Sequence, residues 1–374
     1  VMGVRPGYTD SGLHRRWNRG KHSLALDTRS EAGIGVIRQL IPKVDILIEG
    51  LRPGALAKMG LTWDVLTQLN PRLVMVALSG FGQTGPYREL PSHGVGFDAI
   101  SGLAGVVEDE QGRPRVPSRH VYHGAVVAPL MAATSALAAL GWSRRTGKPV
   151  FLDVAQADAA AFINQEIEEG HWVRLAGETA VYGPQGYTPA IQAYRTRDGM
   201  PLMLMALERK FFVRLAQATG REDLLAYAGE DYLVRGSKDV DEVLLEVIAT
   251  KRLDEWMAIF AEADVPVVPV NDGADVADNP QLKSRIEWLD APQATKTMKF
   301  PLRSDPPLAP PRQAPVIGQV TADILNRLSL DARAQGKLEK EGVIRIAQPD
   351  ELTTASLPIR SARVPMKIFE ARPD

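Results

Sequence analysis

Residues 22 to 79 alternate between short apolar runs and segments with helical spacing. The runs "HSLALD", "DILIEGL" and "RLVMVALS" predict strands, and "SEAGIGVIRQLIPKV" and "TWDVLTQLN" predict the helices between them. Ser30 and Thr62 stand where the N-caps of those two helices are expected. Strands joined through helices pair in parallel, so the sequence predicts an α/β fold with helices covering a parallel sheet.

Two loops of this pattern are predicted at the carboxyl ends of strands, where such sheets bind ligands. They are "LRPG" (51 to 54) and "SGFGQTG" (79 to 85), and Gly80, Gly82 and Gly85 match the spacing of a dinucleotide fingerprint. That fingerprint needs a helix directly after the glycines, whereas prolines follow here at 86 and 91. A nicotinamide site is therefore not favoured. A plain turn and close approach of another ligand both stay open.

Charge and cysteine content limit the function classes. The chain of 374 residues has 44 Lys and Arg against 45 Asp and Glu, so no nucleic acid or membrane partner is expected. It has no cysteine, which excludes disulfides, thiolate catalysis and cysteine-ligated metals. Basic residues cluster near the start of the chain. They form either a solvated surface or a binding site for a phosphorylated small molecule. A cytoplasmic protein is the expectation.

Composition predicts three regions along the chain. "HGAVVAPLMAATSALAALGWSRRTG" predicts a long helix of small residues, and "YGPQGYTP" (182 to 189) is a Gly- and Pro-rich connector. After it, "IQAYRTRDGMPLMLMAL" predicts a hairpin that turns at Asp198 and Gly199. We therefore expect a large domain over 1–185, a small α+β domain over 186–302, and a linker and C-terminal segment over 303–374 that returns to the large domain.

Four stretches in order resemble the family III CoA-transferases, the CaiB/BaiF family. They are "NRGKHSLALD", "DILIEGLRPGALAKMGL", "NPRLVMVALSGFGQTGPYRELPSHGVGFDAISGLAG" and "ALAALGWSRRTGKPVFLDVAQADAA". Formyl-CoA transferase and α-methylacyl-CoA racemase are among that family's members. The resemblance implies an open Rossmann-like large domain, a smaller α+β domain and a dimer of two interlocked rings. It also implies that the family's first strand and helix, which would precede Val1, are missing from this chain.

The resemblance further implies an acyl-CoA substrate, coenzyme A as the carried group, and no metal. Arg and Lys suit its phosphates, since guanidinium groups bind phosphate oxygens through paired hydrogen bonds. The glycine loop would run along the pantetheine arm. The positions that carry over as CoA-binding are Arg5, Asn18, Arg19, Lys21, Leu26, Arg52, Gly80, Phe81, Gly82 and Gln83.

The family's catalytic groups are the main departure. In the transferases an aspartate attacks the thioester, and the resemblance places that position at Gly124, which cannot act as a nucleophile. The racemases also use a histidine before an aspartate, and here Phe97 precedes Asp98. Only His123, and Glu208 at a position that resembles the racemases, are tentative catalytic residues. His120 is less favoured than His123.

These departures predict an Asp-lacking subunit of a heteromeric CoA-transferase, of the kind of succinyl-CoA:benzylsuccinate CoA-transferase. A homologous partner would carry the aspartate, and the substrates would be an acyl-CoA and a carboxylic acid. One alternative is a homodimeric acyl-CoA racemase, isomerase, lyase or dehydratase that uses His123 and Glu208. Another is a CoA-binding protein without catalysis.

Overall fold

The computed structural model describes residues 12–164, 175–176, 188–228, 238–273, 275–291, 295–308, 312–349 and 351. Its contacts divide the chain into two compact units. Unit 1 consists of 1–164 and 286–374, and unit 2 consists of 165–285. Both predicted domain limits, 185 and 302, fall further along the chain than these divisions.

Thirteen α-helices and twelve strands lie within the described residues, together with short 3₁₀ turns. The helices are α1 Gly12–Trp17, α2 Glu31–Leu40, α3 Ala55–Lys58, α4 Trp63–Leu69, α5 Gly94–Ile100, α6 His123–Thr146, α7 Gln156–Ile163, α8 Arg209–Thr219, α9 Lys238–Ile248, α10 Leu253–Glu262, α11 Pro280–Arg285, α12 Thr321–Arg327 and α13 Ala332–Lys340. The strands are β1 Ala25–Leu26, β2 Ile46–Glu49, β3 Val74–Ser79, β4 Val107–Glu108, β5 Pro114–Arg115, β6 Val150–Ala155, β7 Ile191–Arg195, β8 Pro201–Met205, β9 Val267–Pro269, β10 Trp288–Ala291, β11 Thr295–Met298 and β12 Ile344–Arg345.

The centre of unit 1 is a parallel sheet in the order β2–β3–β6, which confirms the predicted α/β class. The middle strand β3 is buried along nearly its whole length, as expected when helices cover both faces of a parallel sheet. On one face, Met75 belongs to a core cluster with α2 and α4. On the other face, Val76 packs against Ala132 and Ala136 of α6.

The N-caps predicted for α2 and α4 are confirmed. The Ser30 hydroxyl accepts a hydrogen bond from the amide of Gly33 at 3.1 Å, and Thr62 accepts one from Val65 at 3.4 Å. Each cap satisfies an amide that has no partner inside its helix. The two helices therefore begin at the predicted residues and lie against the same face of the sheet.

Helix α6 packs on the sheet through small residues. Ala128, Ala132 and Ala136 are buried, and the Ser143 hydroxyl donates to the carbonyl of Arg72 at 2.8 Å. By length and composition this 24-residue helix could also span a membrane. Helix α6 contacts β3 and β6 along one side, and only a minority of its residues are buried.

The predicted strand "HSLALD" lies outside the parallel sheet. Only Ala25 and Leu26 form a strand, and they pair antiparallel with Arg345 and Ile344. The apolar pattern of "HSLALD" therefore predicts an extended strand but not its pairing partner. That partner, β12, lies near the other end of the described chain. Around this ribbon, Val36 of α2 packs with Leu325 and Leu328.

Unit 2 is built on the predicted hairpin. Strands β7 and β8 pair antiparallel, Gly199 has φ +78° in the turn, and β9 pairs antiparallel with β8. A single apolar cluster joins this sheet to helices α8, α9 and α10, with Trp256 and Phe260 stacked at 4.9 Å between ring centroids. Unit 2 is thus an α+β body with its own core.

Candidate functional site

The glycine loop follows β3 at the carboxyl edge of the parallel sheet. Gly82 and Gly85 have φ of +83° and +87°, a conformation that side chains other than glycine rarely adopt. The next helix, α5, begins only at Gly94. A dinucleotide loop needs a helix N-terminus directly after the glycines, so the backbone here agrees with the rejection of a nicotinamide site.

Aromatic rings support the loop from one side. A Cβ on Gly80 would lie 2.5 Å from the Phe97 ring, so the glycine lets this ring pack directly on the backbone. Phe81 makes edge-to-face contacts with Phe97 and Tyr87, with ring centroids 5.2 Å and 5.8 Å apart. These ring contacts stabilise the conformation of the loop.

Two polar side chains of the loop lack partners among the described residues. They are the hydroxyl of Ser79 and the amide nitrogen of Gln83, whose atoms are buried without a hydrogen bond. Buried polar atoms are normally paired, because an unpaired one costs the full desolvation of the group. Unpaired atoms at a strand end are the kind of feature that a bound ligand satisfies.

Carboxylates line the same edge of the sheet. Glu49 and Asp153 flank Ala77 in register. The carboxylate of Asp153 accepts a hydrogen bond from the backbone amide of Gln83 at 2.9 Å. Burial raises the pKa of Glu49, although its carboxylate also accepts the amide of Leu51. The predicted CoA residue Arg52 follows directly and is exposed, so this edge offers a cation beside the acidic groups.

The basic cluster near the start is arranged around Asn18. This side chain donates to the carbonyl of His14 and accepts from the ammonium of Lys21, both at 3.1 Å. Arg19 donates to the carbonyl of Met298 at 2.8 Å. Asn18 and Lys21 are therefore paired with each other, whereas Arg19 binds the backbone of another segment.

The other CoA-binding predictions are dispersed. Arg52 and Gly80 to Gln83 share the carboxyl edge of the sheet, since Glu49 of β2 is in register with Ala77 of β3. Leu26 lies in the two-stranded ribbon with β12. Arg5 lies outside the described residues. These assignments therefore stay predictions.

A buried carboxylate organises the start of α6. Asp98 of α5 is fully buried, and its two oxygens accept the amides of His123 and Gly124, each at 2.8 Å. The same carboxylate contacts His120 Nε2 at 2.8 Å. The residue before the helix, Tyr122, provides no side-chain cap. Asp98 therefore caps α6 from a neighbouring helix, where a negative charge also interacts favourably with the helix dipole.

Position 124 has no room for a side chain. A Cβ on Gly124 would lie 2.5 Å from the carbonyl oxygen of Gln156 and 3.4 Å from the Cβ of Ala160. Helices α6 and α7 thus lie in close contact at the position where the resemblance places the nucleophile. The glycine is required by this packing.

The two tentative catalytic residues lie in different units. His123 begins α6 in unit 1, with its side chain 36% exposed and Nδ1 3.5 Å from Asp98 Oδ2. Glu208 is in unit 2 at the N-cap of α8, where its carbonyl accepts the amides of Phe211 and Phe212. Any residue at position 208 could supply this carbonyl, so the contact assigns no role to the Glu208 side chain, and a catalytic role stays a prediction.

Asp98 was the main site residue that the sequence did not reveal. In the sequence, Asp98 stands out only as the neighbour of Phe97. Two signals were available: an acidic residue inside the apolar segment "GVGFDAI", and histidines spaced three apart at 120 and 123. Neither signal predicts that the segment of Asp98 packs against the segment of the two histidines.

The chain is similar to known proteins over most of its length. The family model described as CoA-transferase family III matches residues 2–321. A protein of Brucella suis, described as a CAIB/BAIF family protein, has a solved structure that superposes with a TM-score of 0.69 at 26% identity. The match covers 87% of this chain and 88% of that one.

Curated relatives include both kinds of enzyme that the resemblance implies. The alpha subunit of succinyl-CoA–L-malate CoA-transferase from Chloroflexus aurantiacus is 29% identical over 85% of this chain and 76% of its own length. The beta subunit of that enzyme is 27% identical over 83% and 79%. Human α-methylacyl-CoA racemase is 28% identical over 88% and 86%.

Proposed function

Since the chain belongs to the CoA-transferase family III, we propose that it is the subunit of a heteromeric CoA-transferase that lacks the nucleophilic carboxylate. The complete enzyme would move CoA from an acyl-CoA, such as succinyl-CoA, to a second carboxylic acid. The first acyl group is released as its free carboxylic acid, and the second acid leaves as its CoA thioester, so the reaction balances. A homologous partner chain would supply the aspartate that forms the anhydride and the enzyme-bound thioester.

The close packing at Gly124 is the observation that carries this proposal. The Cβ of any larger residue would meet the Gln156 carbonyl at 2.5 Å, so the backbone there is built for glycine. If the nucleophile's position is 124, this chain has no nucleophile and no space for one. The chain would then contribute binding groups and a scaffold, while the chemistry takes place on its partner.

The relatives support an assembly of two homologous chains. The alpha and beta subunits of one CoA-transferase both align with this chain over more than three quarters of its length. The surface of α6 supports it as well, because Val126, Leu130 and Leu137 are more than half exposed. Large apolar side chains exposed along one helix are typical of a surface that another chain covers.

CoA itself would be bound through the glycine loop and the basic residues. The loop presents backbone to the pantetheine arm, and the unpaired atoms of Ser79 and Gln83 would find partners there. Arg52 is exposed at the same edge and suits a phosphate group. The acidic side chains Glu49 and Asp153 would disfavour phosphates next to them, so we place the diphosphate on the Arg52 side.

The test is covalent trapping in the native complex. The complex is incubated briefly with succinyl-CoA, treated with hydroxylamine, and the intact mass of every polypeptide is measured. We expect hydroxamate on a second, homologous chain and none on this one. Hydroxamate on this chain would contradict the proposal, because a carboxylate here would then be the nucleophile.

Racemase-like proton transfer is the second candidate, supported by the human relative and by the partly exposed side chain of His123. Its test is exchange of the α-proton of a 2-methylacyl-CoA in deuterated water, with His123→Ala as the variant. Exchange that persists unchanged in His123→Ala would remove this candidate. The third candidate, CoA binding without catalysis, requires binding by calorimetry with neither exchange nor hydroxamate.

A further inference from the structure

We propose that Asp98, His120 and His123 form a binding site for a divalent transition metal ion of the zinc class. The three residues come from α5, the segment between β5 and α6, and the first turn of α6. Their ligand atoms all lie within 4.8 Å of one another. The inference does not depend on the CoA-transferase proposal, and it goes against the sequence-based expectation of no metal.

The distances suit a tetrahedral ion. Zinc binds imidazole nitrogen and carboxylate oxygen at about 2.0–2.1 Å, so two tetrahedral ligands lie roughly 3.4 Å apart. His123 Nδ1 is 3.5 Å from Asp98 Oδ2, which matches that separation. His120 Nε2 is 2.8 Å from the same oxygen, so its ring must retreat by about half an ångström to admit the ion.

The carboxylate is held in position by backbone. Asp98 Oδ1 accepts the amide of Gly124 and Oδ2 accepts the amide of His123, each at 2.8 Å. Both donors belong to the first turn of a 24-residue helix, which fixes the orientation of the carboxylate. Hydrogen bonds that orient a ligand in this way are the usual second layer of a protein metal site.

An unsatisfied nitrogen points at this carboxylate. His123 Nδ1 is buried and has no hydrogen-bond partner among the described residues. A metal ion between Nδ1 and Asp98 would provide that partner. The His123 side chain as a whole is 36% exposed, so this edge of the cluster lies next to solvent.

The donor set selects the class of ion. Two imidazole nitrogens and one carboxylate oxygen suit zinc or cobalt(II), whereas magnesium and calcium prefer oxygen ligands alone. Three protein ligands leave a fourth position for water or for the carboxylate of an acid. A His123 that binds the ion through Nδ1 is not free to carry a proton there, so this inference competes with the racemase-like candidate.

The experiment is titration of the full chain, with any affinity tag removed and after dialysis against a chelator. Cobalt(II) is added and visible absorption is recorded, and zinc is then added as a competitor. We expect one cobalt per chain with the intense bands of a four-coordinate ion, displaced by zinc. His120→Ala and His123→Ala should each weaken binding at least about 100-fold, because changing even an outer-shell partner costs about 10–100-fold.

His93→Ala is the matched control, since His93 precedes α5 and is exposed. It should bind cobalt as the unmodified chain does. Absence of cobalt binding by the folded chain, or equal binding by all three variants, would overturn the metal site and leave a hydrogen-bonded cluster. Calorimetry with CoA on the same samples separates the two proposals. A chain that binds CoA but does not bind cobalt refutes only the metal site.

Discussion

Removing the Asp98 carboxylate should be among the most damaging single changes in unit 1. Asp98→Ala leaves two amides at the start of α6 and the His120 ring without their acceptor, all at a buried position. A lost cap costs about 0.5–2 kcal/mol, and each buried donor left unsatisfied costs about 1–3 kcal/mol. We expect a loss of roughly 3–5 kcal/mol, a large part of a typical stability of about 5–15 kcal/mol.

Asp98→Asn sharpens this prediction because it preserves the shape of the side chain. One oxygen can still accept an amide, but the new NH₂ group faces a donor, so we expect roughly half the loss of the alanine variant. The control is Asp64→Asn, an exposed acidic residue in the first turn of α4, which should cost less than about 1 kcal/mol.

The assay combines urea unfolding with amide hydrogen exchange, both in the presence of a chelator. Exchange at His123 and Gly124 should accelerate in both Asp98 variants, while peptides from unit 2 keep their protection. A loss of stability no greater than that of Asp64→Asn would refute the capping argument. Unchanged exchange at these two amides would refute it as well.

Three further changes test the close contacts and the acidic edge. Gly124→Ala should cost about 1–3 kcal/mol in urea unfolding, because its Cβ would lie 2.5 Å from the Gln156 carbonyl; an unchanged midpoint would contradict this. Gly80→Ala should also destabilise, and combining it with Phe97→Ala should cost less than the sum of the two, since the clash is with that ring; strict additivity would argue against the contact. Burial and, to a smaller extent, the nearby carboxylate of Asp153 raise the pKa of Asp158 above 3.8, so the stability of the folded state falls as the pH rises past that value. Asp158→Asn should therefore raise Tm at neutral pH and leave it unchanged below pH 3.8. The reverse pattern in thermal melts would refute the assignment.

Local patterns predicted the elements of the central sheet well. The apolar run of β3, the caps at Ser30 and Thr62 and the hairpin at Gly199 each depend on neighbouring residues only, so the sequence specifies them directly. The strand at Ala25 was also recognised, but it pairs with Arg345, 320 residues further along the chain, for which no local signal exists.

The candidate site shows the same division. The glycine loop could be predicted because strand ends and glycines are visible in the sequence. The Asp98 cluster could not, because its members meet only when α5 packs beside the start of α6. The function of Gly124 was likewise invisible, since the need for glycine comes from the carbonyl of Gln156 on another segment.

The pairing of Ala25 with Arg345 determines when each unit can be completed during synthesis. Unit 2 is one continuous segment, so it can fold as soon as its last residues leave the ribosome. Unit 1 must wait, because β1 finds its partner only after β12 has been made, and closing so long a loop is slow. Until then the apolar residues that pack around this ribbon, Val36 among them, remain exposed on the nascent chain, which makes this the stage at which a chaperone would be needed most.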